Sequence, residues 1–270
     1  MLFDNNFDKY GIAIMLKALA FGTLLAVSTL VSAHVVVATD NFDTYASGNL
    51  NLQNGGSGWA GGWSAGSGAE SVVNQSGDNW LAFTGNNNTA ATRTLSSAQT
   101  DKVIVDFNFQ YSGTLNDNDF LAIWFGSSIG PNIGLKANCG TGNCTNDLFA
   151  RTTGSAGSFA PGSDLASNTS YHIAAYLYKS LANSSFDRIA LWVNPTAGEM
   201  ASLTGWDTLY SGASGLTSFT AIGVRTANLD AGDSIKIDDL RIQTIPEPGS
   251  LALLGVAMMG LAAVRRKFSK

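Results

Sequence analysis

Between Val103 and Tyr111 the chain alternates. Val103, Val105, Phe107, Phe109 and Tyr111 fall on one face of an extended segment, and Asp106, Asn108 and Gln110 fall on the other. Successive side chains of a strand point to opposite faces, so this segment packs inward on one side only. A sheet of such strands must bury that side against a second layer. Further strands are expected at Ser71 to Asn74, Trp80 to Phe83, Ala90 to Leu95, Phe120 to Gly126, Asn132 to Lys136, Leu148 to Arg151, Tyr171 to Lys179, Arg188 to Val193, Phe219 to Arg225 and Ser234 to Ile242. Gly, Asn, Ser and Thr fill the turns between them, and no helical stripe competes. The expected class is all-β, a two-sheet antiparallel sandwich. In the last strand the apolar parity changes from Ile235 and Ile237 to Leu240 and Ile242, which calls for a β-bulge at Asp238 or Asp239.

The two ends carry addresses. From Met15 onward the chain reads as a signal peptide, with Lys17 as the charged region, Ala18 to Leu30 as the apolar region and Val31-Ser32-Ala33 as the cleavage site. Val36-Val37-Ala38 offers a second cleavage site. Asp4 and Asp8 sit badly ahead of a signal peptide, so Met15 is an alternative start. At the other end Pro246-Glu247-Pro248 precedes an apolar run and then Arg265, Arg266 and Lys267. The run from Ser250 to Val264 would rise only roughly 22 Å as a helix, against a hydrocarbon core of about 30 Å. The basic cluster should stay cytoplasmic, leaving the Pro-Glu-Pro motif at the outer face of the membrane. This order of parts resembles the PEP-CTERM sorting signal of Gram-negative bacteria. The resemblance implies handling by the Sec export machinery, transient inner-membrane anchoring, processing by an exosortase, and association with exopolysaccharide and biofilm at the cell surface or beyond. The domains expected are therefore a signal region at 1–33, a sandwich at 34–245 and the sorting signal at 246–270.

The body from 34 to 245 holds nine Lys plus Arg and seventeen Asp plus Glu, a net charge of −8. Such a surface repels nucleic acid, which is excluded as a partner. Cys139 and Cys144 are the chain's two cysteines, and in an exported protein a disulfide is their first reading. It would close a Gly-rich turn and contribute roughly 2 kcal/mol at best.

Three motifs of the body carry a further likeness: Asp40-Asn41-Phe42-Asp43 near the start, Asp119 to Gly126 in the middle and Ile237-Asp238-Asp239-Leu240-Arg241-Ile242 at the end. They resemble the concanavalin A-like, laminin-G-like jelly roll. The resemblance implies two curved sheets whose first and last strands are neighbours, and a superfamily of lectins, carbohydrate-binding modules, adhesion modules and glycoside hydrolases. Fold alone does not choose among them.

Hydrolysis of glycosides needs a pair of carboxylates held roughly 5 to 5.5 Å apart in retaining enzymes. The body offers only Glu70 and Glu199 as glutamates, neither with an acidic partner at alternating positions, while Asp238 and Asp239 would point to opposite faces of a regular strand. There is no Gly-x-Ser-x-Gly elbow, and His172 among Tyr171, Ile173, Tyr176 and Tyr178 reads as a half-buried strand histidine. Calcium takes several oxygen ligands, and the candidates are Asp117 and Asp119 in one turn, Asp230 and Asp233 in another, and Asp40, Asp43 and Asp238 at strand ends. The competing reading is that Asn and Asp are good turn residues. For carbohydrate binding the candidates are Trp59 and Trp63 in a Gly-rich loop, where the rings would serve as stacking platforms. The expectation is a non-enzymatic surface or matrix protein, followed by a lectin-like module and then by a polysaccharide-cleaving enzyme.

Overall fold

Every segment expected to be extended falls in a strand, but four strands run further than expected: the Trp80 strand starts at Asp78, and the Ala90, Phe219 and Ser234 strands run on to Gln99, Ala227 and Thr244; the strands build two antiparallel sheets that do not close into a barrel. The computed structural model describes residues 34–66, 70–87, 90–116, 118–138, 145–154, 157–181 and 184–245, and Ala33–Pro246 form one compact unit. In chain order the strands are β1 (Val35–Asp40), β2 (Gly48–Asn49), β3 (Ser64–Ala65), β4 (Glu70–Gln75), β5 (Asp78–Phe83), β6 (Ala91–Gln99), β7 (Val103–Ser112) and β8 (Phe120–Phe125). There follow β9 (Asn132–Lys136), β10 (Leu148–Arg151), β11 (Ser158–Phe159), β12 (Ser170–Tyr178), β13 (Arg188–Val193), β14 (Thr208–Ser211), β15 (Phe219–Ala227) and β16 (Ser234–Thr244).

The nine-stranded sheet runs β14-β13-β12-β7-β16-β5-β4-β2, with β1 also paired to β16. The seven-stranded sheet runs β11-β10-β9-β8-β15-β6-β3. The inward residues of β7, Val103, Val105, Phe107, Phe109 and Tyr111, meet Leu121, Ile123 and Phe125 of β8 and Ile222 and Val224 of β15 in one core. The shift on β16 falls where the apolar parity breaks: pairing with β7 slips between Asp238 and Arg241, and Asp239 takes a left-handed φ of 50°. The extra residue restores Leu240 and Ile242 to the core side.

Elements not expected from sequence are short or sit beside the export signal. β2, β3 and β11 are two residues each, and β14 is four. A single helix among the described residues, α1 (Ala197–Ser202), is set by a capping box in which Thr196 and Glu199 bond reciprocally. It covers the outer side of the nine-stranded sheet, where Met200, Leu203 and Trp206 pack against Trp192 and Tyr176.

β1 is paired along its length with β16, from Val35 opposite Thr244 to Asp40 opposite Leu240. Cleavage after Ala38 would remove most of that strand and leave one edge of the end of β16 unpaired, β7 holding the other. The mature protein should therefore begin at His34, as mass spectrometry of the exported chain would show; an N-terminus at Thr39 would contradict the pairing.

Candidate functional site

The residues singled out at the N-terminal end of the body meet in one buried cluster. Arg93 points inward from β6, and its guanidinium pairs with Asp40 at the end of β1; both side chains are almost fully buried. All five guanidinium donors are used. Nε donates to Gly61 O at 2.9 Å, one terminal nitrogen to Asp40 and to Tyr45 Oη at 2.9 Å, and the other to Asn54 Oδ1 at 2.7 Å and Gly55 O at 2.9 Å. Trp63 Nε1 donates to Tyr45 Oη at 3.1 Å, and Tyr45 itself donates to Asp40.

This arrangement corrects the expectation for Trp63, which is 1% exposed and closes the core. Trp59 is half-buried, its Nε1 bonded to Thr39 O at 2.9 Å, with the Arg93 guanidinium 4.6 Å over its ring. Neither ring is a bare stacking platform. Glycines draw the loop in against β1, not out towards a ligand: a Cβ at Gly56 would lie 2.0 Å from Thr39 O, and one at Gly58 would lie 1.9 Å from Val37 O. Asp40 is corrected in the same way. Its oxygens are taken by Phe42 N, Tyr45, Arg93 and Trp63, so it is not free to ligate calcium.

Asp238 lies at the bulge, 2% exposed, with Oδ1 lacking a hydrogen-bond partner. Burial, together with the nearby Asp239, Asp78 and Asp43, pushes its carboxyl up to about 7. Asp119 caps its own turn through Asn116 N at 2.7 Å, and Asn116 Nδ2 reaches Asp230 at 2.6 Å. Asp233 accepts from Asp230 N and Thr114 N, both at 3.1 Å, as turn residues do, while Asp119 Oδ1 is buried with no partner. Among the described residues no three His, Cys, Asp or Glu side chains converge to hold a metal ion. Asp117, Cys139, Cys144, the Pro246-Glu247-Pro248 motif and Arg265, Arg266 and Lys267 lie outside the described residues.

Two depressions open on the outer faces. The larger, about 680 Å³, lies on the nine-stranded sheet and is lined by Asp106, Asn108, His172, Asp239 and Arg241 among others. Asp106 is satisfied within it, while Asp239 accepts from the neutral Asn108 Nδ2 at 2.8 Å. Asp106 accepts from Arg241 Nε at 3.1 Å, from Gln243 Nε2 at 3.0 Å and from His172 at 3.4 Å. Burial would raise its carboxyl, but these bonds outweigh that and hold it below the usual range.

The smaller depression, about 220 Å³, lies on the seven-stranded sheet and is lined by Asn118, Phe120, Lys136, Arg151, Gly154, Arg225, Ala227 and Asn228. Its floor follows from register. Ala122 of β8 pairs with Gly134 of β9 and with Arg225 of β15, and Gly134 pairs with Phe149 of β10. Two small residues thus sit amid large ones. Phe120 and Phe149 stack with centroids 5.5 Å apart. The Arg151 guanidinium lies 4.7 Å over Phe149 and 5.1 Å over Phe120, and that of Arg225 lies 5.3 Å over Phe120 from β15. Arg151 Nε is fixed by Asn132 Oδ1 at 2.7 Å, while Arg225 Nε is buried with no partner. Burial and the neighbouring Arg225 pull Arg151 down to about 10. No carboxylate among the described residues pairs with either arginine. The alternation of β10 and β15 places both arginines outward, but the sequence does not show that β8 and β9 carry them to one place.

The fold is shared with carbohydrate-active and carbohydrate-binding β-sandwiches. Alginate lyase Aly36B superposes with a TM-score of 0.52 at 13% identity over 78% of this chain and 98% of that one. A double mutant of the same lyase, in complex with alginate trisaccharide, gives 0.53 at 14% identity over 79% and 100%. The binding domain of botulinum neurotoxin serotype G gives 0.50 at 14% identity over 81% of this chain and 50% of that one. No curated protein matches the sequence. Residues 244–267 match the PEP-CTERM protein-sorting motif, which makes this an exported, exosortase-processed protein with a C-terminal membrane-anchoring sorting signal.

Two measurements test the electrostatics. Replacing Arg93 by Met strands Asp40 in the core and should cost about 3–5 kcal/mol in urea unfolding; a loss below roughly 1 kcal/mol would show the pair to be dispensable. The Asp238 carboxyl is raised in the folded state, so the native protein holds its proton above the unfolded value and stability falls as pH rises from about 4 towards 7. Asp238→Asn should therefore stabilise at pH 8 by about 1–3 kcal/mol and have little effect near pH 3.

Proposed function

We propose that this protein is an exported, exosortase-processed component of the cell surface or extracellular matrix that binds a glycan without cleaving it, through the outer face of the seven-stranded sheet. The observation that carries the reading is the cationic surface built over Phe120 and Phe149. These two rings are almost fully buried and serve as the base on which Arg151 and Arg225 lie, the half-buried Phe159 supplies apolar area beside them, and Arg151, Arg225, Lys136, Asn118 and Asn228 supply donors. Sugar recognition combines such apolar patches with a few placed polar groups. The described residues lining the depression include no carboxylate, histidine or tyrosine, which favours binding over the paired acid and base of glycoside hydrolysis. The alginate trisaccharide bound by a double mutant of alginate lyase Aly36B, a protein of the same fold, is in keeping with the glycan-binding part of this reading.

Affinity electrophoresis of the processed protein in polysaccharide-containing gels should retard it. Phe159→Ala, beside the face, should weaken that retardation by roughly 2- to 12-fold, the range expected for losing one aromatic contact. Products that shorten the polymer during incubation would overturn the non-enzymatic part of the proposal. A calcium ion at Asp238 is a separate proposal, supported by its unpartnered Oδ1 beside Asp43, Asp78 and Asp239. These carboxylates do not converge as they stand, so binding there needs Asp239 to turn from Asn108, Asp43 from Asn41 and Asp78 from Trp80 Nε1. Calcium should raise the melting temperature relative to chelator in the native protein and not in Asp238→Asn; equal values in the native protein would remove the ion.

A further inference from the structure

Five arginines lie among the described residues, and their partners divide them. Arg93 is paired with Asp40, Arg188 with Asp187 and Arg241 with Asp106. Arg151 and Arg225 have no acidic partner among the described residues, although acidic residues outnumber basic ones by seventeen to nine in the body. Instead the fold sets these two on the same phenyl ring, that of Phe120, with Lys136 directly across the ladder from Phe120. Arg151 is only 8% exposed. Bringing like charges together in a partly desolvated place opposes folding, and such an arrangement is retained where an anion completes it.

We propose that Arg151, Arg225 and Lys136 form the recognition site for the anionic group of an acidic polysaccharide, a carboxylate or a sulfate ester repeated along the polymer. The proposal rests on the glycan-binding reading above and adds its charge class. Guanidinium forks match planar oxyanions with two parallel hydrogen bonds, and the buried Nε of Arg225 is uncommitted. The bond from Arg151 to Asn132 and the stacking on Phe149 hold that guanidinium in place before any ligand arrives. The depression is smaller than the roughly 300–1,000 Å³ of an enclosed small-molecule site, so the anion is one unit of a chain that continues over the open sheet. A nucleic acid is a polyanion too, but a duplex needs many cations along a broad stripe, and this face offers three, Arg151, Arg225 and Lys136.

Isothermal titration of the processed protein against a polyuronate, a sulfated dextran, unmodified dextran and duplex DNA tests the proposal. The polyuronate or the sulfated dextran should bind, unmodified dextran should not, and affinity should fall as salt rises. Preference between the first two tells carboxylate from sulfate. Arg151→Gln and Arg225→Gln should each weaken the acidic polymer by about 10-fold or more, while Arg241→Gln in the other depression should not. Because Arg225 lacks an acidic partner, Arg225→Gln should leave the melting temperature unchanged or raise it, so lost binding is not lost folding. Binding of unmodified dextran that the arginine variants do not weaken would overturn the anionic class and leave the glycan reading standing. DNA binding equal to that of the acidic polymers would overturn the proposal as stated, and no binding to any polymer would overturn both readings.

Discussion

The Arg93 to Asp40 pair joins the two sheets from within. Arg93 belongs to β6 of the seven-stranded sheet and Asp40 to β1 of the nine-stranded sheet. A buried ion pair stabilises only if every remaining donor and acceptor is satisfied, and here the satisfying groups come from the loop between β1 and β3. Asn54, Gly55, Gly61, Tyr45 and Trp63 all turn towards the guanidinium. The loop in turn needs its glycines, since Gly56 and Gly58 have positive φ and lie against the carbonyls of β1. One charge pair thus accounts for the Gly-rich sequence, the burial of Trp63 and the closure of that end of the core.

The same residue type has the opposite status on the outer face of β8 and β15. Arg93 is enclosed, neutralised and saturated, whereas Arg151 and Arg225 rest on aromatic rings with charge uncompensated. The difference separates structure from recognition in a way that depression size does not. In the larger depression the one arginine is committed to Asp106, which Gln243 and His172 also bond.

Much of the sandwich was legible because alternation is local. The inward face of β7 and the parity break at Asp238 and Asp239 follow from a period of two, and the structure shows both. The site was harder to read. Trp59 and Trp63 in a run of glycines look exposed, and only the inward position of Arg93, far along the chain in a strand of Ala, Thr and Leu, shows why they are covered. Asp40 looked available for calcium for the same reason. Arg151 and Arg225 become a pair only through the ladders β10-β9-β8-β15, a long-range pairing that no local pattern encodes.

Routing and fold meet where β16 ends. The sorting motif begins at residue 244, the last residue of β16, and Ile245 is still buried against Ile104 and Trp192, so the motif overlaps the last packed residues of the sandwich. The most direct measurement of the account is a crystal structure of the processed protein with an acidic oligosaccharide bound. The account predicts a carboxylate or sulfate oxygen within about 3 Å of guanidinium nitrogens of both Arg151 and Arg225. An oligosaccharide seated instead in the depression at Asp106 and Arg241, with the seven-stranded face empty, would contradict it.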